Sequence, residues 1–235
     1  MSADTPSLWL IGAGGMAREY ARVLADLGCD FQTIGRGAAS AAAFEQATGR
    51  PVRRGGLAAF LAERPAPAAR AIVAAPVEAL AACTIALLDH GVTRVLVEKP
   101  AGLDRREIEE LATRAEVRGA AVAVAYNRRF HASTQKAIEL IAADGGATSL
   151  EFDFTEKPTI GDMPKPAAVK ARWFLANSTH VVDLAFFLAG EPASLAAEVA
   201  GSLPWHPAGA VFAGAGRTVR GALFSYRADW RSADR

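Results

Sequence analysis

A short apolar run, Leu8 to Ile11, enters the string Gly12-Ala13-Gly14-Gly15-Met16-Ala17. Met16, Tyr20, Leu24 and Leu27 then recur at helical spacing until Gly28 stops the pattern. A strand that turns through glycines directly into a helix leaves few folds open. Gly12 permits the tight turn, Gly14 lets a ligand approach the backbone, and Ala17 lets the helix lie close to a sheet. The helix opening near Gly15 directs free N–H groups and the positive end of its dipole over the turn, which suits a phosphate. The string therefore predicts a dinucleotide pyrophosphate site, with Gly12, Gly14, Gly15, Met16 and Ala17 as its contacts.

The context the string needs follows it. Phe31 to Ile34 reads as a second strand, and a helix through Phe44 is closed by Gly49. Val52 is a short strand, Leu57 to Leu61 a short helix, and Ala71 to Ala75 a strand bounded by Pro76. A helix carrying Leu80, Leu87 and Leu88 ends at Gly91, and Val95 to Val97 leads into Glu98-Lys99-Pro100. Asp104 and Glu107 form a capping-box-like pair before Ile108 and Leu111, and Ala121 to Tyr126 closes the series. Strands alternating with helices imply a parallel sheet covered on both faces, and right-handed crossovers make it doubly wound, a Rossmann arrangement.

After Tyr126 the pattern changes. A helix near Thr134 to Ile141 precedes an alternating strand, Leu150 to Thr155, and then a proline-rich surface loop, Pro158 to Pro166. Asn177 to Leu188 is the last clear helix. Ser194 to Gly201, Ala210 to Phe212 and Val219 to Trp230 read as strands. Short connections between consecutive strands predict a mostly antiparallel sheet. The expected fold class is α/β: residues 1–127 as a dinucleotide-binding domain, then residues 128–235 as an α+β domain for substrate binding and oligomerisation.

Composition narrows the function classes. A formal net charge of +1 gives no whole-molecule field for nucleic acid or an anionic membrane surface. No apolar run reaches membrane-spanning length, and the start of the sequence lacks the layout of a secretory signal. Cys29 and Cys83 are the only cysteines and read as apolar packing, which points to a reducing, cytoplasmic setting. Four histidines without ligand-like spacing predict no metal site.

At the end of the second strand, where an NAD-specific site carries an acid, the sequence has Gly35 followed by Arg36. A glycine leaves room for a 2′-phosphate and an arginine supplies its countercharge, so NADP is favoured over NAD. Glu98-Lys99-Pro100 lies on the carboxyl edge of the sheet, where ligands bind in open α/β folds. Tyr126-Asn127-Arg128-Arg129-Phe130 follows the next strand. GAGGMA, EKPAGL and YNRRF in this order resemble the Gfo/Idh/MocA family of oxidoreductases, which act mainly on sugars and cyclitols. The resemblance runs from Leu8 to about Trp230.

The resemblance implies that Lys99 donates a hydrogen bond to the substrate oxygen. It also implies that His180, in Asn177-Ser178-Thr179-His180-Val181-Val182-Asp183, takes the hydroxyl proton as hydride leaves. Asp183 reads as a first-turn acid favoured by the helix dipole. Besides the glycine turn, the expected cofactor contacts are Arg36, Pro76, Glu98, Lys99, Asn127 and Arg129. The expected substrate contacts are Lys99, Tyr126, Arg128, Lys170, Arg172, Asn177 and His180. Lys165, Lys170, Arg172, Arg128 and Arg129 on loops around one predicted cleft suggest an anionic substrate, such as a sugar acid or nucleotide-linked sugar.

Two departures from the family pattern are visible. Many members carry an aspartate four residues before the histidine, where this sequence has Ala176; Asn177 is one residue too late to substitute without a register change. The family's second domain usually continues with further strands, whereas this sequence stops at Arg235, which makes the domain read as truncated. These departures sustain an alternative: a cofactor-binding sensor or regulatory protein with little turnover. The last strand, Val219 to Trp230, is expected to leave an apolar edge with Phe224 and Trp230 exposed. That edge predicts a homo-oligomer.

Overall fold

A computed structural model describes residues 8–231, which fall into two compact units divided between Ala125 and Tyr126. In the first, β1 (Leu8–Ile11), β2 (Gln32–Ile34), β3 (Val52–Arg53), β4 (Arg70–Val73), β5 (Arg94–Val97) and β6 (Ala121–Val124) form one sheet. Its order is β3-β2-β1-β4-β5-β6, and every pairing is parallel. The helices are α1 (Gly15–Asp26), α2 (Ala38–Thr48), α3 (Gly56–Ala62), α4 (Leu80–Asp89) and α5 (Arg105–Val117). This is the doubly wound sheet that the alternation predicts.

The strand β1 shows why it forms. All four of its residues are buried, but Trp9 and Ile11 pack into one core while Leu8 and Leu10 pack into the other. A strand whose two faces are both covered cannot alternate in polarity, so it reads as a continuous apolar run. On one side Trp9 meets Phe60 edge-on at 4.9 Å. On the other, α1 buries Ala17, Ala21 and Leu24, whereas Met16 and Leu27 are exposed. The buried stripe is thus rotated by one residue from the larger apolar set, because small side chains let the helix axis approach the sheet. Asp104 caps α5 by accepting from the Glu107 N–H at 2.9 Å, and Glu107 reaches back to accept from the Leu103 N–H at 2.7 Å. The predicted capping pair forms, with its return bond one residue earlier than the usual one.

The second unit contains α6 (Ala132–Ala143), β7 (Ser149–Asp153), α7 (Ala167–Lys170), α8 (Thr179–Ala189), β8 (Pro192–Ala200), β9 (Val211–Thr218) and β10 (Leu223–Asp229). Its sheet runs β7-β10-β9-β8, with β7–β10 parallel and the other two pairings antiparallel. Phe186 of α8 packs edge-on against Phe152 of β7 and Phe224 of β10, which seats the helix on the sheet. Phe154, Trp173, Phe212 and Trp230 close the core, and the Trp230 indole N–H donates to the Phe154 carbonyl at 3.1 Å.

Three expectations are corrected here. The stretch Pro158 to Pro166 is no featureless surface loop: Pro158–Asp162 makes a 3-10 turn with Ile160 buried, and Lys170 sits on α7. The last strand is not an edge. A hairpin turn at Val219–Gly221 folds β10 back between β9 and β7, and Phe224 and Trp230 are 3% and 1% exposed. The two edges are β7 and β8, and all nine residues of β8 are exposed. Finally, the last helix is preceded by a π-turn, Phe174–Ser178, so its coil begins earlier than Asn177 and carries an extra residue.

Candidate functional site

In the first unit the turn after β1 is held between two neighbours: the Gly12 N–H donates to the Ile34 carbonyl, and the Ala74 N–H donates to the Ile11 carbonyl, both at 2.8 Å. Gly12 has φ +117°, and a Cβ there would lie 2.3 Å from the Ala74 carbonyl oxygen. Only glycine fits. Gly14 and Gly15 are the opposite case: they are exposed, and a Cβ on either would meet nothing within 4 Å. Gly14 caps α1 without a side-chain hydrogen bond, and the first turn holds no acid. The helix therefore presents bare N–H groups and open space, while Ala17 is fully buried beneath. A pyrophosphate fits this cradle, since it needs donors, room and no competing carboxylate.

The carboxyl edge of the same sheet carries Arg36, Pro76, Glu98 and Lys99. Gly35 is buried, and a Cβ there would press on Val52 Cγ1 at 2.8 Å, so its size is set by packing. Arg36 is exposed and has no ion pair among the described residues. Tyr20 of α1 donates its hydroxyl to Glu98 Oε1 at 2.7 Å. Burial first, and the Glu98 carboxylate next, hold the Tyr20 phenol well above its ordinary value. Tyr20 was legible only as a helix-stripe residue, because nothing local says that its hydroxyl meets a residue 78 positions away.

In the second unit, Asn127–Phe130 forms a 3-10 turn pinned from α6: the Thr134 hydroxyl donates to the Arg128 carbonyl at 2.7 Å, and Gln135 Nε2 to the Arg129 carbonyl at 2.6 Å. Arg129 Nε donates to Asp183 Oδ2 at 2.9 Å and a second guanidinium nitrogen bonds Oδ1. The same guanidinium lies over the Phe187 ring at 4.7 Å. Asp183 is consequently an ion-pair partner beyond the first turn of α8, not the dipole-stabilised first-turn acid expected, and Arg129 is engaged within its own unit. Tyr126 stands edge-on to His180, with ring centroids 6.0 Å apart. Burial raises the Tyr126 phenol, Asp183 adds to this, and Thr179 and Arg129 oppose it.

Ala176 is turned inward and 5% exposed. Asn177, at the end of the π-turn, donates through Nδ2 to Glu156 Oε1 at 2.7 Å, and the buried Ser178 hydroxyl donates to the same oxygen at 2.9 Å. Glu156, in the segment after β7, was missed from sequence because an isolated acid in a loop carries no signal. Of the basic residues, Lys170 Nζ donates to the Gly161 carbonyl at 2.8 Å, while Arg172 is exposed and Arg128 half-buried. A cavity of about 560 Å³ lies elsewhere in this unit, lined mainly by Leu140, Ile141, Leu150, Phe152, Leu184 and Leu188. None of the predicted site residues lines it, and its polar lining residues are Asp144, Thr148, Ser149 and Glu151. Among the described residues no group of His, Cys, Asp or Glu could hold a metal ion, and no helix is long and apolar enough to cross a membrane.

Residues 8–126 match the Gfo/Idh/MocA model, described as an oxidoreductase family with an NAD-binding Rossmann fold. The chain belongs to the Gfo/Idh/MocA family. No curated protein matches this Gfo/Idh/MocA chain closely enough to serve as a relative. Among solved structures, levoglucosan dehydrogenase in complex with NADH and levoglucosan is 19% identical with a TM-score of 0.75, over 97% of this chain and 68% of that one. The WlbA dehydrogenase from Bordetella pertussis, with NADH and UDP-GlcNAcA, is 20% identical with a TM-score of 0.77, over 96% and 72%. The UDP-N-acetylglucosamine 3-dehydrogenase from Acidithiobacillus ferrooxidans is 21% identical with a TM-score of 0.70, over 97% and 70%. At these identities the likeness establishes the shared fold of both units.

Proposed function

We propose that this Gfo/Idh/MocA protein transfers hydride between a nicotinamide cofactor and a sugar-, sugar-acid- or cyclitol-type substrate, nucleotide-linked sugars included. The observation that carries the reading is the bare N-terminus of α1 above a turn in which only Gly12 fits, within a chain of an oxidoreductase family. The sugar class is supported by the levoglucosan and UDP-sugar complexes of the similar structures. When bound, the nicotinamide supplies the hydride acceptor or donor. Lys99 donates a hydrogen bond to the substrate oxygen, and His180 takes the hydroxyl proton in oxidation and returns it in reduction. Tyr126, beside His180, together with Arg128, Lys170, Arg172 and Asn177, contacts the substrate; Asn127 and Arg129 serve the cofactor side. Arg36, exposed and without an acidic partner, meets the 2′-phosphate of NADP, and the protein works as a homo-oligomer.

The test is a panel of sugars, sugar acids, cyclitols and UDP-sugars, followed by nicotinamide absorbance with NADP and NAD. Lys99→Met and His180→Ala should each cut turnover by about two to four powers of ten, with cofactor affinity held within a few-fold. Arg36→Ala should erase an NADP preference of about one to two powers of ten, the worth of a charge-assisted hydrogen bond. Tight cofactor binding with no turnover on the whole panel, and both active-site variants identical to the parent, would replace this reading with the sensor alternative.

A further inference from the structure

The π-turn meets an acid, Glu156, to which the proposed chemistry gives no role. Phe174–Ser178 closes one wide turn in which the Thr179 N–H reaches the Phe174 carbonyl, and α8 starts immediately after it. Single π-turns are uncommon and gather at functional positions, because the extra residue costs regular helical hydrogen bonding. Here the extra residue turns Ala176 into the core and leaves Asn177, three residues before His180, to carry the polar group. Residues three apart on a helix share a face. Glu156 then fixes that face from outside the helix. One oxygen, Oε1, accepts from Asn177 Nδ2 at 2.7 Å and from the Ser178 hydroxyl at 2.9 Å. Ser178 is 2% exposed, so without this acceptor its hydroxyl would be buried with its strongest partner gone.

The segment carrying Glu156 is itself anchored. Phe154, two residues earlier, is 3% exposed and meets Phe174 of the π-turn edge-on at 5.2 Å. The Thr155 hydroxyl accepts from the Asp229 N–H at 2.9 Å, tying the segment to β10. Two contacts of different kinds, a ring pair and a forked hydrogen bond, thus clamp the strand end to the turn that precedes His180.

We propose that Glu156 is a positioning residue for His180. It acts through the acceptor geometry of its side-chain oxygen, which locks Asn177 and Ser178 and so sets the start of α8. The proposal rests on the reading of His180 given above, and two measurements separate their failures. The first is steady-state kinetics on whichever sugar of the panel the parent turns over. Glu156→Leu keeps the bulk but not the acceptor, and should lower kcat roughly ten- to a hundred-fold, the scale of a slightly misplaced reacting group, with KM held within a few-fold. Glu156→Gln keeps an acceptor oxygen and should restore most of the loss. The second is hydrogen exchange over residues 174–182, which needs no turnover. Glu156→Leu should speed exchange there about ten-fold relative to Glu156→Gln, while α6 exchanges alike in both.

If the parent turns over nothing but the exchange pattern holds, the reading of His180 fails and the clamp stands as a structural fixture without the positioning role. If Glu156→Leu and Glu156→Gln are equal in kcat and in exchange, the positioning role is wrong. A Glu156→Gln variant as slow as Glu156→Leu overturns the acceptor-geometry argument, because only the charge then distinguishes it from the parent.

Discussion

The two units bury their cores by different means. In the first, β1 is buried on both faces and a helical layer covers each side of the sheet, as the separate cores around Trp9 and Leu10 show. In the second, β8 is exposed along its whole length and the core is a knot of rings: Phe154, Trp173, Phe212 and Trp230 with Tyr226 and Trp205 packed on it. A sheet covered twice leaves little freedom in its turns, so its glycines divide sharply into those set by sterics and those left open. A sheet stabilised by large rings tolerates an exposed edge and irregular helix starts. The pyrophosphate cradle proposed for the first unit accordingly lies in backbone, beside the side chains of Lys99 and Arg36, whereas the chemistry proposed for the second unit lies in side chains alone.

The largest effect should come from breaking that backbone. Gly12→Ala places a methyl 2.3 Å from the Ala74 carbonyl at a φ of +117°. The combined clash and strain should cost several kcal/mol, on the order of a third or more of a typical domain's stability. Gly14→Ala is the control. Its Cβ enters open space and its φ of −83° suits alanine, so melting should shift by about 1 kcal/mol or less. Its methyl nevertheless occupies the space over the N-terminus of α1, so NAD(H) affinity should fall about ten-fold, roughly the worth of one hydrogen bond to a charged group. Thermal melts and cofactor fluorescence titrations of both variants decide the matter. Unchanged cofactor binding by Gly14→Ala would remove the pyrophosphate from this turn.

What could be read from sequence follows the same division. The strand–turn–helix from Leu8 to Ala17, the caps at Gly49 and Asp104, and the parallel sheet were legible because each rests on contacts within a few residues or on periodicity. Of the buried face of α1, Ala17 was legible from the glycine turn, whereas Ala21 was not, since an alanine within a helix carries no local sign of its burial. The place of β10 was misread because strand order depends on pairing partners far along the chain. Phe224 and Trp230 look alike whether their strand is an edge or the middle of a sheet. The Tyr20–Glu98 and Glu156–Asn177 bonds span 78 and 21 residues, and no local pattern announces either.

An intermediate effect should appear in tyrosine ionisation, which compares the two units directly. The chain has three tyrosines, and burial raises all of them: Tyr20 in the first unit, Tyr126 and Tyr226 in the second. In the unfolded chain each ionises near its ordinary value of about 10. Because the folded values lie higher, the stabilisation is fully present below about pH 10 and is lost as pH rises through the folded values. A phenolate absorbance titration of the folded protein should show little change near pH 10, then a rise that coincides with loss of tertiary structure. Tyr20 should be last to respond, since Glu98 adds to its burial, and Tyr20→Phe should remove the final step. A tyrosine of the first unit ionising near pH 10 in the folded state would contradict the Glu98 contact.

The smallest effect on stability, and the clearest on association, should come from β8. This nine-residue strand pairs with β9 on one side, and Leu195 and Val199 are 54% and 53% exposed. A long strand edge with apolar side chains and one acid, Glu198, is a template for pairing with another chain. The homo-oligomer proposed above is therefore predicted to pair through β8 rather than through Val219 to Trp230, because the structure buries the last strand and bares this one. Leu195 and Val199 are about half exposed, Val199 with Cγ1 against Gly209, so Leu195→Lys and Val199→Lys should each alter unfolding free energy by no more than about 1 kcal/mol. Together they place two like charges on one edge, and in a symmetric pair each charge would face its counterpart. Light scattering across a concentration series should show the parent forming larger species and the double variant shifted toward the monomer. A parent that stays monomeric, or a variant that associates equally well, would move the interface away from β8.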